Sequence, residues 1–317
     1  MKYKFLTLFI ALLAFSACKK DDNTEPDDSI GETKQIEWQE ILKFDDIPNA
    51  GSVINFAVSD DGNTIFFSNS GRNIYRHNIT NGQTTKLYGD LAAMGTSYVH
   101  FIDGKLYTIT INDNKSYFGI STDLGDNLTQ HLVHTYNGPA NPTPVEGFYN
   151  VNMNRLYKLP NGTLVLPDNA SNMNFAKSTD GGLTWSRKET EIDYTFIPAQ
   201  NGNRLFCLTK GWEGDFGIGN AGGLFYSDNL GDSWQQSDLN YAPQVTDREG
   251  NIIACESNQF QKLKNGKWTL YEWEGNFPYG VKLRNFNGDQ KYADIEFDSS
   301  NNLYLLSNNA IYKTKLH

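Results

Sequence analysis

One pattern constrains this chain more than any other: a polar turn carrying Gly or Asn, followed at once by a β-rich run, recurs along most of its length. It stands at Ser59-Asp60-Asp61-Gly62-Asn63 before Thr64-Ile65-Phe66-Phe67, at Asp103-Gly104 before Lys105-Leu106-Tyr107, and at Asn161-Gly162 before Thr163-Leu164-Val165-Leu166. It returns at Asn201-Gly202-Asn203 before Arg204-Leu205-Phe206, at Glu249-Gly250-Asn251 before Ile252-Ile253, and at Asn301-Asn302 before Leu303-Tyr304-Leu305. Asn-Gly and Asp-Gly in such places are hairpin turns, because a type I′ turn needs positive φ at both central residues. The copies lie roughly 40 to 58 residues apart, near the length of one four-stranded propeller blade. A period of that size predicts an all-β chain in which each repeat is one small sheet.

A second motif falls inside these repeats. Ser178-Thr179-Asp180-Gly181-Gly182-Leu183-Thr184-Trp185 fits the pattern Ser-x-Asp-x-Gly-x-Thr-Trp throughout. Ser227-Asp228-Asn229-Leu230-Gly231-Asp232-Ser233-Trp234 follows it closely, with Asn229 at the acidic position, and Ser121 through Leu128 is a decayed third copy. These stretches resemble the Asp-box, or BNR-repeat, β-propeller superfamily, and the resemblance runs from about residue 36 to the end of the chain. It implies a structural role for Ser178, Asp180, Gly182 and Trp185, and for Ser227, Asn229, Gly231 and Trp234. Each box would close the turn between the third and fourth strands, its acid or amide bonding turn amides while its Trp packs between sheets. The superfamily includes sialidases, sortilin-type receptors and photosystem-assembly factors, so the fold does not choose a function.

Counting hairpins gives six blades of four strands. The last, at Leu303–Leu316, lacks its outermost strand, and Glu37-Trp38-Gln39-Glu40-Ile41-Leu42 has the look of one. An N-terminal strand completing the C-terminal blade would close the ring and cover its edges. Seven blades would need one hidden in the long gap between Gly104 and Gly162.

The first residues speak for compartment. Lys2 and Lys4 precede an apolar run from Phe5 to Phe15, and Ser16-Ala17 leads into Cys18. The run is too short to span a membrane as a mature helix and reads as a signal peptide over residues 1–17. Ending on Cys, it resembles a bacterial lipobox, which implies lipidation of Cys18. Residues 18–33, rich in Asp, Glu, Thr and Pro, cannot bury a core and are expected to form a disordered acidic tether. Lys19-Lys20-Asp21-Asp22-Asn23 looks like the surface-export signal of Bacteroidetes lipoproteins. The expected location is the outer membrane facing the exterior, with the periplasmic side as the alternative. Residues 34–317 are left as a single propeller domain, expected to be a monomer that meets the membrane through its lipid anchor alone.

Charge and composition remove other classes. With 27 basic against 37 acidic residues the net charge is −10, and no basic stripe is available to read nucleic acid phosphates. Cys207 and Cys255 each follow a turn glycine by five residues, so they occupy matching places in neighbouring repeats and are expected to be free thiols. His131 and His134 are three apart in an expected strand, where alternation would separate them. No zinc, EF-hand or cofactor pattern is present, and neither metal nor cofactor is expected. Gly217-Ile218-Gly219-Asn220-Ala221-Gly222 matches a dinucleotide fingerprint in letters only, since a strand rather than a helix follows it.

Strand order separates two faces. The Gly turns and the boxes lie on one; the long irregular stretches 137–150, 211–222 and 274–290 lie on the other. Long loops on a rigid scaffold are where binding usually sits. Those loops and the strand ends beside them offer Glu146, Tyr149, Asp168, Trp212, Glu213, Asp215 and Arg284 as candidate ligand-binding residues, a mixture of rings, carboxylates and a guanidinium suited to sugars. No residue is singled out as catalytic. A sialidase would need an arginine triad and a Phe/Tyr-Arg-Ile-Pro stretch, but Phe44-Asp45-Asp46-Ile47-Pro48 and Thr195-Phe196-Ile197-Pro198 both lack the Arg. The reading is a surface-exposed, lipid-anchored propeller that binds glycan or protein. Two alternatives stand beside it: a carbohydrate-active enzyme, a glycoside hydrolase or lyase using acids of the loop-rich face, and an assembly subunit of an outer-membrane complex.

Overall fold

The repeated turns reverse the chain where their letters require it. Gly62 takes φ of 70°, and in the tightest copy Asp103 and Gly104 take 50° and 74°, the two positive values of a two-residue hairpin. The computed structural model describes residues 30–71, 73–88, 97–112, 115–135, 155–167, 174–189, 194–209, 223–239, 241, 243–256, 259–273, 283–286 and 290–317. Cys18 and the chain before Ile30 lie outside them.

The strands sort into six antiparallel blades. Blade 1 is Val53–Val58, Thr64–Asn69, Ile74–Asn78 and Thr84–Tyr88, and blade 2 is Ser97–Ile102, Lys105–Asn112, Lys115–Ser121 and Thr129–Thr135. Blade 3 is Tyr157–Lys158, Leu164–Pro167, Asn174–Ser178 and Ser186–Glu189; blade 4 is Tyr194–Asn201, Arg204–Thr209, Leu224–Ser227 and Gln235–Gln236. Blade 5 is Val245–Thr246, Ile252–Glu256, Gln259–Lys264 and Lys267–Glu272. Blade 6 takes Ile295–Phe297, Asn302–Leu306 and Ala310–Lys315 from the C-terminus, and its fourth strand, Gln39–Lys43, from the N-terminus. The chain is a six-bladed β-propeller.

First strands line the centre. Asn55 in blade 1 accepts a hydrogen bond from the Val99 amide in blade 2 at 2.6 Å, and Thr246 in blade 5 donates to the Gln200 carbonyl in blade 4 at 2.5 Å. Between neighbouring sheets the apolar faces meet in six separate cores, one per junction, which is what a closed ring of six requires. Phe66 against Phe101 fills the first junction, and Phe56, Phe67 and Tyr304 join blades 6 and 1.

Two details depart from the sequence reading. Ile30–Gln35 is a strand lying parallel to Lys267–Glu272, giving blade 5 a fifth strand. Residues 30–33 therefore belong to the sheet, where the tether was expected to extend to residue 33. In blade 2 a register shift interrupts the strand between Leu132 and His134, with His131 opposite Phe118 and His134 opposite Ser116. Among the described residues, no group of three His, Cys, Asp or Glu is placed to hold a metal ion. Cys207 is a buried free thiol and Cys255 a half-buried one, at the same strand position of adjacent blades. A further hairpin, Leu283–Phe286 with Gln290–Ala293, stands between blades 5 and 6.

Candidate functional site at the channel mouth

The first strands of blades 2 to 6 surround a cavity of about 470 Å3 at the centre of the ring, open toward the face that carries the strand-one-to-two turns. Sequence alternation explains which side chains reach it. In Asp294-Ile295-Glu296-Phe297, the apolar Ile295 and Phe297 enter the core shared with blade 5, which turns Glu296 the other way, into the cavity wall. In blade 5, Val245 packs on that same core, while Gln244 and Thr246 face away from it.

The rim is held by ion pairs and turn hydrogen bonds. Lys158 in blade 3 meets Asp103 in blade 2 at 2.6 Å, and that hydrogen bond raises the lysine pKa. Arg248 in blade 5 donates to the Phe297 carbonyl in blade 6 at 2.9 Å and to Asp60 in blade 1 at 3.2 Å. Asp247 is fully buried and pairs with Lys262 at 2.9 Å. Its burial alone would push the carboxyl up, but hydrogen bonds from Asn251 and Lys262 outweigh this and hold it below the ordinary carboxylate range.

Deeper in the wall sits a carboxyl of a different kind. Burial pushes Glu296 up to about 7; Arg155 and Arg248 pull against that rise and Asp294 adds to it. Near neutrality such a group exchanges a proton readily and can donate as well as accept hydrogen bonds. On the neighbouring strand Gln244, 4% exposed, donates its side-chain amide to the Cys255 carbonyl at 3.0 Å, while its Oε1 has no protein partner.

The turns at Ser178 and Ser227 have a different, architectural chemistry. Asp180 accepts hydrogen bonds from Ser178 and from the Thr184 amide and hydroxyl, and these bonds lower its pKa to about 2. Asn229 makes the matching bonds to Ser227 and Ser233, its amide nitrogen donating to the Ser233 hydroxyl at 2.9 Å. Asp123 repeats the geometry with Ser121 and Asn127, although Leu128 replaces the Trp. Each turn docks on the preceding blade. Trp185 packs edge-on against Phe118 at 5.0 Å and Gly182 faces the same ring, while Trp234 joins the core between blades 3 and 4. Amides of Gly182 and Gly231 donate to Ser178 and Ser227 at 2.8 Å each.

The loop candidates Glu146, Tyr149, Asp168, Trp212, Glu213 and Asp215 lie outside the described residues. Arg284 stands in the strand Leu283–Phe286, opposite Tyr292. The cavity is built instead from Glu296, Gln244, Arg155 and Arg248, none of which the sequence singled out. The available signal was the acid-apolar alternation from Asp294 to Asp298, which by itself reads as an ordinary solvent face.

No protein-family profile and no curated protein matches the sequence. Solved structures do match its fold. The chain superposes on YCF48 bound to D1 peptide with a TM-score of 0.50 at 10% identity, covering 89% of this chain and 95% of that one. A GH74 enzyme from Niastella koreensis gives 0.52 at 15% identity, over 86% of this chain but only 53% of the enzyme. The PQQ-bound aldose sugar dehydrogenase of Streptomyces coelicolor gives 0.50 at 12% identity, over 88% and 98%. The likeness is one of fold. These neighbours include both a peptide-bound propeller and enzymes.

Proposed function

We propose that this propeller is a binding module of the Asp-box type, held at the outer membrane through a lipidated Cys18 and taking a glycan or a protein segment as ligand. The observation that carries the reading is the polar cavity of about 470 Å3 where first strands from five blades converge. Its size lies within the roughly 300–1,000 Å3 usual for ligand pockets, and its few convergent polar groups are what fix a ligand's orientation. The hydrogen-bonded turns at Ser178 and Ser227 support the Asp-box assignment. Residues Lys2 to Cys18, with the acidic stretch after them, support the anchor, with the protein facing the cell exterior.

The test has two parts. Lipid labelling of the native protein is expected to be abolished by Cys18→Ser, and protease added to intact cells is expected to remove the propeller. The mature chain, purified in detergent, is then screened on glycan and peptide arrays, where specific saturable binding is the expected result. Absence of any ligand on both arrays would defeat the binding reading, and shift attention to an assembly role.

One observation favours a second reading, a carbohydrate-active enzyme. A cavity-lining carboxyl raised to about 7, as Glu296 is, can deliver a proton near neutrality, which is the task of a general acid. Turnover of aryl glycosides that disappears in Glu296→Gln would establish it.

A further inference from the structure

One group in the channel mouth stays short of what its position demands, and a titratable one lies beside it. Gln244 is 4% exposed and fixed by its bond to the Cys255 carbonyl, yet its Oε1 meets no donor from the protein. A buried acceptor left this way costs free energy until something supplies a hydrogen. Glu296, on the adjoining first strand of blade 6, lines the same cavity with its carboxyl. We propose that this cavity takes an uncharged, hydroxyl-bearing ligand the size of one or two sugar rings, donating to Gln244 Oε1 and exchanging hydrogen bonds with Glu296. The proposal rests on the binding reading above and names the ligand class for it.

The charge balance of the wall selects against an anion. Lys158 is engaged by Asp103 and Arg248 by Asp60, and Asp247 is neutralised by Lys262. Arg155 faces Glu296, so acids and bases stand side by side around the cavity, and an anionic ligand would meet Asp103 and the Glu296 carboxyl together with the cations. An ionised carboxylate group also has no hydrogen to give Gln244. A hydroxyl both donates and accepts, which satisfies the amide oxygen and the carboxyl together.

Proton linkage follows from what faces Glu296: Arg155 and Tyr157 from blade 3, Arg248 from blade 5, and Asp294 from its own strand. The neutral carboxyl predominates below about pH 7 and offers a donor that the carboxylate lacks. Ligand affinity therefore falls as pH rises through that value.

The experiment titrates the full mature chain with methyl glycosides of glucose, galactose and mannose and with the matching hexuronates, followed by saturation-transfer NMR and calorimetry. At least one neutral glycoside is expected to saturate the protein, binding more tightly at pH 6 than at pH 8. Gln244→Leu and Glu296→Leu are each expected to weaken it at least tenfold. Glu296→Gln, which keeps shape and a donor, is expected to retain binding and lose the pH dependence; it also serves if the leucine variants fail to fold. Preference for hexuronates overturns the proposal, as does neutral binding unchanged in the Gln244 and Glu296 variants. If no monosaccharide probe binds while an array ligand does, this proposal falls and the binding module stands. If neither binds, both fall.

Discussion

Arg248 of blade 5 lies 3.2 Å from Asp60 of blade 1, reaching it across the Phe297 carbonyl of the blade between them. One side chain thus spans three consecutive blades at the place where the two ends of the ring meet. Its backbone amide adds a bond to Asn301 at 2.9 Å, and the Ser299 amide of blade 6 donates to the Asp60 carbonyl at 2.7 Å.

Removing that side chain loosens the seam. Arg248→Ala is expected to lower unfolding free energy by about 1–2 kcal/mol, the cost of carbonyl and carboxylate hydrogen bonds lost in a half-exposed setting. Arg248→Lys recovers only part of this, because an ammonium cannot bridge two acceptors with a planar fork. Urea unfolding followed by tryptophan fluorescence measures both; equal stability of the alanine variant and the parent would contradict the bridging role.

The turn at Ser178 supplies a paired test on adjacent glycines. A Cβ on Gly182, at φ of 101°, would sit 2.2 Å from a Phe118 ring carbon, whereas one on Gly181, at φ of 77°, meets nothing within 4 Å. Gly182→Ala is expected to cost about 3 kcal/mol or more from strain and overpacking combined, and Gly181→Ala about 1 kcal/mol from backbone strain alone. Similar melting temperatures for the two variants would show that the turn does not dock on blade 2 as described.

The buried pair Lys262–Asp247 makes stability depend on pH in a defined direction. Asp247 has a lowered pKa, so its contribution is present above its unfolded value near 4 and is lost as pH falls through the lower folded value. Lys262→Met strands the carboxylate in a buried site and is expected to cost about 3–5 kcal/mol at pH 7. Without the lysine, the Asn251 hydrogen bonds still offset burial at Asp247 but the ion pair does not, so protonation costs the fold less than it does in the parent. The gap between variant and parent therefore narrows from pH 7 to pH 4; a gap that widens in acid would reverse the sign argued here.

Truncation separates the two N-terminal strands. Starting the chain at Ile36 removes only the extra strand of blade 5 and is expected to leave a cooperative, destabilised monomer. Starting it at Phe44 also removes Gln39–Lys43, including Leu42 from the core between blades 6 and 1, and is expected to yield aggregated protein. Size-exclusion chromatography distinguishes the cases.

What the sequence disclosed follows from how local its signals are. Asp103-Gly104 specifies a hairpin in two residues, and Ser178 through Trp185 specifies a whole turn, so blade number and order could be read directly. The closing strand was legible because blade 6 visibly lacked a fourth member. Ile30–Gln35 was not, since a mostly polar six-residue stretch acquires strand character only from the free edge of blade 5, more than 230 residues away in the chain. The cavity was hidden for the same reason. Whether Glu296 meets bulk water or a channel depends on the first strands of four other blades, not on the Ile295 and Phe297 that flank it.

The parallel strand at Ile30–Gln35 has a mechanical consequence. It lies along Lys267–Glu272 in matched direction, and Lys34 at its far end donates to the His317 carbonyl at 2.9 Å. A pull along the strand axis on the chain ahead of Ile30 would load the whole ladder in shear, all bonds sharing the force, before any reached Gln39–Lys43. Such a load would therefore fall on blade 5 before it fell on the seam of the ring.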